Sequence, residues 1–72
     1  MKYMIVILLF FTATVSAQKN DRDYIRSGNR LYKDSLYAKA ETDYRKAIEI
    51  NARSSQAYFN LGNTLLQQRK GK

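Results

Sequence analysis

The chain contains no cysteine, no histidine and no proline, and it has only three glycines among its 72 residues. Without cysteine there is no disulfide and no thiolate nucleophile. Without histidine, the commonest metal ligand and the usual general base at neutral pH are also missing. The composition therefore predicts a protein that is not an enzyme, that uses no cofactor or metal, and that is stabilised by helix packing alone.

The N-terminal segment has the pattern of a secretory signal peptide. Lys2 gives it a positive start, residues 4–11 form an apolar run, and residues 15–17 are small, as a signal peptidase requires. A membrane-spanning helix needs roughly 20 apolar residues, and this segment is shorter and interrupted by threonine and serine. The sequence therefore predicts a signal peptide at residues 1–17, cleaved after Ala17. A retained membrane anchor is the alternative.

Helical periodicity dominates the rest of the chain, and no alternating strand pattern is found. Three helices are predicted, at about residues 21–33, 37–50 and 55–69. Asn20 is the predicted N-cap of the first helix and Ser54 that of the third. Because the turns between them are short, consecutive helices are expected to pack antiparallel. The fold class is therefore all-α, a helix-turn-helix pair followed by one more helix.

A Gly-Asn dipeptide occurs at residues 28–29 and again at residues 62–63, a spacing of 34. Two further positions repeat with the same spacing, Tyr24 with Tyr58 and Leu31 with Leu65. A period of 34 with two helices per unit is typical of tetratricopeptide repeats (TPR). The chain therefore resembles TPR proteins, and the resemblance implies a fragment of an alpha-solenoid.

The second helix also matches the small and aromatic positions of the family pattern, whereas Ser27 and Ala52 depart from it. The resemblance implies a first TPR unit at residues 18–54 and the first helix of a second unit at residues 55–72. The residues expected to pack helices together are Gly28, Ala40, Tyr44, Ala47 and Gly62.

The third helix is expected to keep an exposed apolar face. Gly62 has no second helix of its own unit to pack against, and about three repeats are needed for a stable stack. The sequence is therefore interpreted as the N-terminal piece of a longer protein. Exposed apolar surface favours association, so self-association through this face is expected.

In TPR proteins the first helix of each unit contributes to a concave surface that binds partners. The resemblance implies that the partner-binding residues are Arg22, Ile25, Arg26, Asn29, Tyr32 and Lys33, followed by Gln56, Phe59, Asn60, Asn63, Leu66 and Gln67. The helical wheel gathers the basic residues of the first helix on one side, and basic side chains bind carboxylates or acidic peptides. A solvated basic face without a ligand is the alternative. Ile25 stands where a carboxylate clamp needs lysine, so no such clamp is predicted.

The net charge of +7 raises the question of whether the chain binds nucleic acid. The predicted signal peptide argues against it, and the tyrosines occupy core positions rather than a stacking platform. The basic residues share no helix face with an exposed apolar stripe, which argues against a membrane surface. Protein partners are therefore expected, with membrane contact only through an uncleaved signal or through membrane-protein partners.

The signal and the stretch IRSGNRLYKDSLYAKAETDYRKAIEINARSSQAYFNLGNTLL are similar to the start of the TPR proteins encoded in aerotolerance (Bat) operons of Bacteroides-type bacteria. This resemblance implies export to the periplasm or cell envelope of a Gram-negative bacterium, with other Bat operon products as partners. The expected function is a non-catalytic scaffold for protein–protein interaction. The alternative is an accessory or regulatory module of a larger envelope enzyme, whose catalytic part lies beyond residue 72.

Overall fold

A computed structural model of the chain describes residues 19–71 and contains three helices: α1 (Asp21–Lys33), α2 (Tyr37–Ile50) and α3 (Ser55–Lys70). The predicted helices are confirmed, and α3 ends one residue later than expected. The predicted signal peptide lies outside the described residues. None of the three helices is long and apolar enough to span a membrane.

A capping box starts α1. The side-chain oxygen of Asn20 accepts a hydrogen bond from the backbone N–H of Asp23 at 3.0 Å. The carboxylate of Asp23 accepts one from the backbone N–H of Asn20, also at 3.0 Å. Each bond satisfies a backbone donor that the helix itself leaves without a partner. Asn20 is therefore the N-cap, as the sequence predicts, and Ser54 caps α3 in the same way by accepting from the N–H of Ala57.

The turn after α1 reverses the chain and brings α2 back along α1. Ser35 adopts a left-handed backbone conformation, with φ of 63°. The N–H of Leu36 donates to the carbonyl of Leu31 at 2.8 Å, and the N–H of Ser35 donates to the carbonyl of Tyr32 at 2.9 Å. These two bonds form a Schellman motif, which satisfies the last carbonyls of the helix.

Close packing of α1 on α2 depends on a missing side chain. A Cβ atom on Gly28 would lie 2.6 Å from Cε1 of Tyr44, which is closer than two carbon atoms approach. Tyr44 is buried, as are Ala40 and Ala47 on the same face of α2, and Ile25 of α1 completes this part of the core. The glycine lets α1 approach an aromatic ring that lies between two small residues of α2.

A hydrogen bond between helices explains one departure from the family pattern. Ser27 stands where the second unit has Leu61, and its hydroxyl donates to the carboxylate of Asp43 on α2. The serine is partly buried, and a buried polar group is costly unless it is hydrogen-bonded. The pairing with Asp43 therefore makes the polar residue acceptable at this position.

The third helix covers α2 with one face and exposes another. Ala57, Leu61 and Thr64 are buried, and α3 contacts α2 far more extensively than it contacts α1. As expected from the sequence, large apolar side chains of α3 remain exposed; these are Tyr58, Phe59, Leu65 and Leu66. Apart from the glycine itself, its two chain neighbours and the nearby backbone of α3, no described atom lies within 4 Å of the position that a Cβ on Gly62 would take. None of the described residues therefore covers Gly62.

Candidate binding groove

Helices α1 and α3 lie side by side and form a groove with two clefts. Arg22 of α1 and Gln56 of α3 line one cleft, whereas Tyr32 of α1 and Asn63 of α3 line the other. Asn29 lines both clefts and marks the middle of the groove. Residue numbers rise in the same direction along both helices, so α1 and α3 run parallel to each other. This is expected because each of them is antiparallel to α2.

The cleft toward the C-terminal ends of the two helices, which we call the amide cleft, has a volume of about 220 Å³. Its lining consists of Asn29, Tyr32, Tyr44, Asn60 and Asn63. A primary amide offers both hydrogen-bond donors and an acceptor. A row of such groups suits the alternating carbonyl and N–H groups of an extended peptide.

A chain of hydrogen bonds joins the core to the amide cleft. The hydroxyl of Tyr44 donates to Oδ1 of Asn29 at 2.6 Å. The same oxygen accepts from Nδ2 of Asn60 at 3.1 Å, which also links α1 directly to α3. Burial raises the pKa of Tyr44, and the neighbouring Tyr32 and Asp43 add to this effect. The phenol therefore remains protonated and able to donate at neutral pH.

The second cleft, which we call the basic cleft, has a volume of about 320 Å³. Arg22, Arg26, Asn29 and Gln56 surround it, and Ile25 forms its floor. Ile25 is only 5% exposed and belongs to the hydrophobic core, so it offers a partner little surface. Arg22 makes no ion pair with any other described residue. Its guanidinium group therefore retains the paired donors that match a carboxylate.

Arg26 differs from Arg22 because it is paired within its own helix. Its Nη2 atom lies 2.8 Å from Oδ1 of Asp23, and its side chain is 75% exposed. The backbone N–H of Asn20 and, to a lesser extent, the Arg26 guanidinium lower the pKa of the Asp23 carboxyl. This carboxylate offsets part of the repulsion between the two arginines, which the spacing of four residues brings together.

The remaining residues expected at the partner-binding surface lie outside both clefts. Lys33 and Phe59 are exposed, and Phe59 is 70% exposed. Leu66 is also exposed. Gln67 lies in a separate hollow beside Leu36. The structure thus leaves Lys33, Phe59, Leu66 and Gln67 outside the two clefts. It brings seven of the expected residues together around one groove: Arg22, Arg26, Asn29, Tyr32, Gln56, Asn60 and Asn63.

The family follows from a comparison of the chain with known proteins. A family model described as "TPR repeat" matches residues 28–68, which is more than half of the chain. The chain belongs to the TPR family. No curated protein and no solved structure matches it. The matched stretch contains both glycines of the 34-residue spacing, so the periodicity and the family assignment agree.

TPR repeats generally mediate protein–protein interaction, and TPR domains are typically non-catalytic scaffolds. In this TPR chain, the sequence did not indicate that Tyr44 takes part in the groove. Its position in the pattern indicates only a buried aromatic residue, and nothing in the spacing links it to Asn29, 15 residues earlier. The one signal was its hydroxyl, because a buried tyrosine usually finds a hydrogen-bond partner.

Proposed function

We propose that this TPR chain is an exported scaffold that binds acidic segments of protein partners in the groove between α1 and α3. The observation that carries the proposal is that two clefts lie along one groove, a basic cleft in which Arg22 makes no ion pair with a described residue and an amide cleft. The first offers charge-assisted hydrogen bonds to carboxylates. The second offers neutral donors and acceptors to the peptide main chain.

The charge distribution around α1 supports an acidic ligand. Asp21, Asp23 and Asp43 each accept a hydrogen bond from another residue of the chain. Arg22 and Lys33 make no ion pair with a described residue. The nearby carboxylates therefore stabilise the fold, whereas these basic side chains remain available to a partner.

The cellular context belongs to the same proposal. The signal-peptide pattern at residues 1–17 supports export to the periplasm or envelope, where the partners would be products of an aerotolerance operon that acts in envelope stress. A role as an accessory module of a larger envelope enzyme stays the second hypothesis. In either case the groove would bind a protein segment.

Mass spectrometry of the exported chain tests the predicted cleavage and should find Gln18 at its N-terminus. An intact Met1 would contradict cleavage.

Affinity capture from an envelope fraction tests the groove. We expect the wild-type chain to retain specific proteins that the variant Arg22→Ala/Arg26→Ala/Lys33→Ala does not retain, because that variant lacks both arginines of the basic cleft and the exposed Lys33 at the end of α1. The matched control removes the same charge elsewhere, in Lys39→Ala/Arg53→Ala/Lys70→Ala, and should retain the same proteins as the wild type. Equal retention by all three chains would refute a role of the basic cleft.

A further inference from the structure

A stripe of exposed residues runs along α3 and is symmetric about Gly62. An aromatic pair lies one turn before the glycine, a leucine pair lies one turn after it, and one polar residue stands seven positions to each side. At about 100° per residue, all of these positions fall within about 60° of Gly62 around the helix. We call this stripe the seam, and besides Gly62 it consists of Ser55, Tyr58, Phe59, Leu65, Leu66 and Arg69.

The seam has the spacing of a surface that packs against another helix. Its residues recur at alternating intervals of four and three positions along α3, as they do where two helices pack along their whole length. At its centre Gly62 has no side chain, so a second helix can approach closely. The buried face of α3, with Ala57, Leu61 and Thr64, points away from the seam. A helix on the seam would therefore not displace α1 or α2.

A second copy of α3 in the antiparallel direction is complementary to the seam. A two-fold axis that crosses the helix at Gly62 brings the glycines of the two copies together. Tyr58 of each copy then faces Leu65 of the other, and Phe59 faces Leu66. All four apolar side chains are at least 41% exposed without such a partner. The seam thus matches itself, as an interface between two identical subunits requires.

Charge favours the antiparallel direction over the parallel one. Arg69 is the charged residue of the seam, and α3 contains no acidic residue to neutralise it. In a parallel pair the two Arg69 side chains would face each other. In the antiparallel pair they lie about 21 Å apart along the axis, beyond the screening length of about 8 Å at physiological salt. Each then faces Ser55, whose hydroxyl can accept a hydrogen bond, and the two helix dipoles oppose each other.

We propose that two copies of this chain pair through the seam as an antiparallel, two-fold symmetric dimer. The interface is far smaller than the standard of about 20–30 residues a side, so the dimer is weak and its population rises with concentration. The groove is lined by Gln56, Asn60 and Asn63 on another side of α3 and stays open. The dimer therefore presents two grooves, which raises the avidity for a partner with two binding segments.

Disulfide pairing tests the proposal in the full 72-residue chain, which has no cysteine of its own. Ser55→Cys and Arg69→Cys leave the apolar side chains of the seam intact, and the two variants are mixed in a glutathione buffer. The mixed disulfide should form at least about tenfold faster than that between two Ser55→Cys chains. The reason is that positions 55 of the two copies lie about 21 Å apart, whereas a disulfide needs Cα atoms within about 7 Å.

Two controls locate the contact. Ile50→Cys introduces a cysteine at a position that is 50% exposed but outside the seam, and it should show no preference for Arg69→Cys. Leu65→Arg, added to both partners of the first mixture, places a charge in the seam and should abolish the preference. Circular dichroism checks that each variant keeps its helices.

The outcomes are distinct. Faster pairing of Ser55→Cys with itself would overturn the antiparallel direction. A preference that survives Leu65→Arg would mean that the copies meet through another part of the chain, and the seam would be excluded. A wild-type chain that sediments as a monomer at every concentration would overturn the dimer. None of these results depends on peptide binding in the groove, so the proposed function stands or falls separately.

Discussion

Gly28 and Gly62 occupy equivalent positions, 34 residues apart, but have opposite surroundings. A Cβ on Gly28 would meet three ring atoms of Tyr44 at 2.6 to 2.9 Å, whereas a Cβ on Gly62 would meet nothing within 4 Å among the described residues. In a helix interior, glycine costs about 1 kcal/mol relative to alanine. Close packing offsets that cost at Gly28, and no contact of the described chain offsets it at Gly62.

Alanine substitutions at the two glycines should therefore change stability in opposite directions. Gly28→Ala forces the buried ring of Tyr44 to move and should lower the free energy of unfolding by about 1–2 kcal/mol, since overpacking exceeds the gain in helix propensity. Gly62→Ala should raise it by up to about 1 kcal/mol. Urea denaturation at low protein concentration measures both. Destabilisation by Gly62→Ala as large as that by Gly28→Ala would show that the surface over Gly62 is covered in solution.

The limits of the helices were predictable because the signals that set them are local. Asn20 and Ser54 stand directly before the helices they cap, and their partners are only three residues away. The left-handed residue Ser35 was less predictable, because glycine or asparagine usually takes that conformation. The Gly-Asn repeat placed α1 and α3 in equivalent roles, which is why residues of both helices were expected at one surface.

Contacts between helices were not predictable in detail. Gln68 donates to Glu41 at 2.7 Å across 27 residues, and Tyr44 donates to Asn29 across 15. Such pairs depend on the rotation and separation of packed helices, which periodicity does not specify. For the same reason Ile25 was expected at the partner surface, although its side chain points into the core. The sequence therefore indicated the faces of the helices but not which polar groups pair across them.

Two carboxylates should make the stability of the fold depend on pH. Asp23 takes part in the N-terminal cap of α1, and Glu41 of α2 accepts a hydrogen bond from Gln68 of α3. The hydrogen bond from Gln68 and then the contact with Arg45 lower the pKa of Glu41 below 4.5, and the cap of α1 lowers the pKa of Asp23 below 3.8. A carboxyl whose pKa is lower in the folded state stabilises the fold above its unfolded pKa, and this is lost as the pH falls through the folded pKa. The chain should therefore lose stability as the pH falls below about 4.5.

Thermal unfolding at neutral pH and at about pH 3 measures this dependence. Glu41→Gln removes the titrating group that joins α2 to α3 and to Arg45, so the variant should lose less stability on acidification than the wild type. Glu49→Gln is the matched control, because this exposed glutamate makes neither contact, and should respond as the wild type does. An identical acid response of all three chains would contradict the role of Glu41.

Among residues 19–71, α1 and α2 pack closely against each other, whereas one face of α3 is left uncovered. Tyr58 and Leu65 are 50% and 41% exposed on either side of Gly62. In the first unit the equivalent residues, Tyr24 and Leu31, are partly buried against the core. Exposed apolar surface of this kind favours association. In a purified sample the available partner is a second copy of the chain.

We expect helicity and sedimentation to depend on protein concentration, because a second copy covers the open face of α3. Leu65→Arg places a charge on that face and should give a monomer. Ile50→Arg changes a residue that is similarly exposed, at 50%, but lies at the end of α2, and it should associate as the wild type does. A wild-type chain that melts cooperatively as a monomer, independently of concentration, would contradict an incomplete stack.

Mapping of a bound peptide by NMR can show whether the groove between α1 and α3 binds an acidic segment. A capped hexapeptide of alternating glutamate and alanine is titrated into the isotope-labelled chain while backbone and side-chain amide signals are followed. We expect the largest shifts at Arg22, Asn29 and Gln56, and much smaller ones with a peptide in which glutamine replaces glutamate. Shifts centred on the outward face of α2, at Lys39 and Lys46, or equal shifts with both peptides, would contradict it.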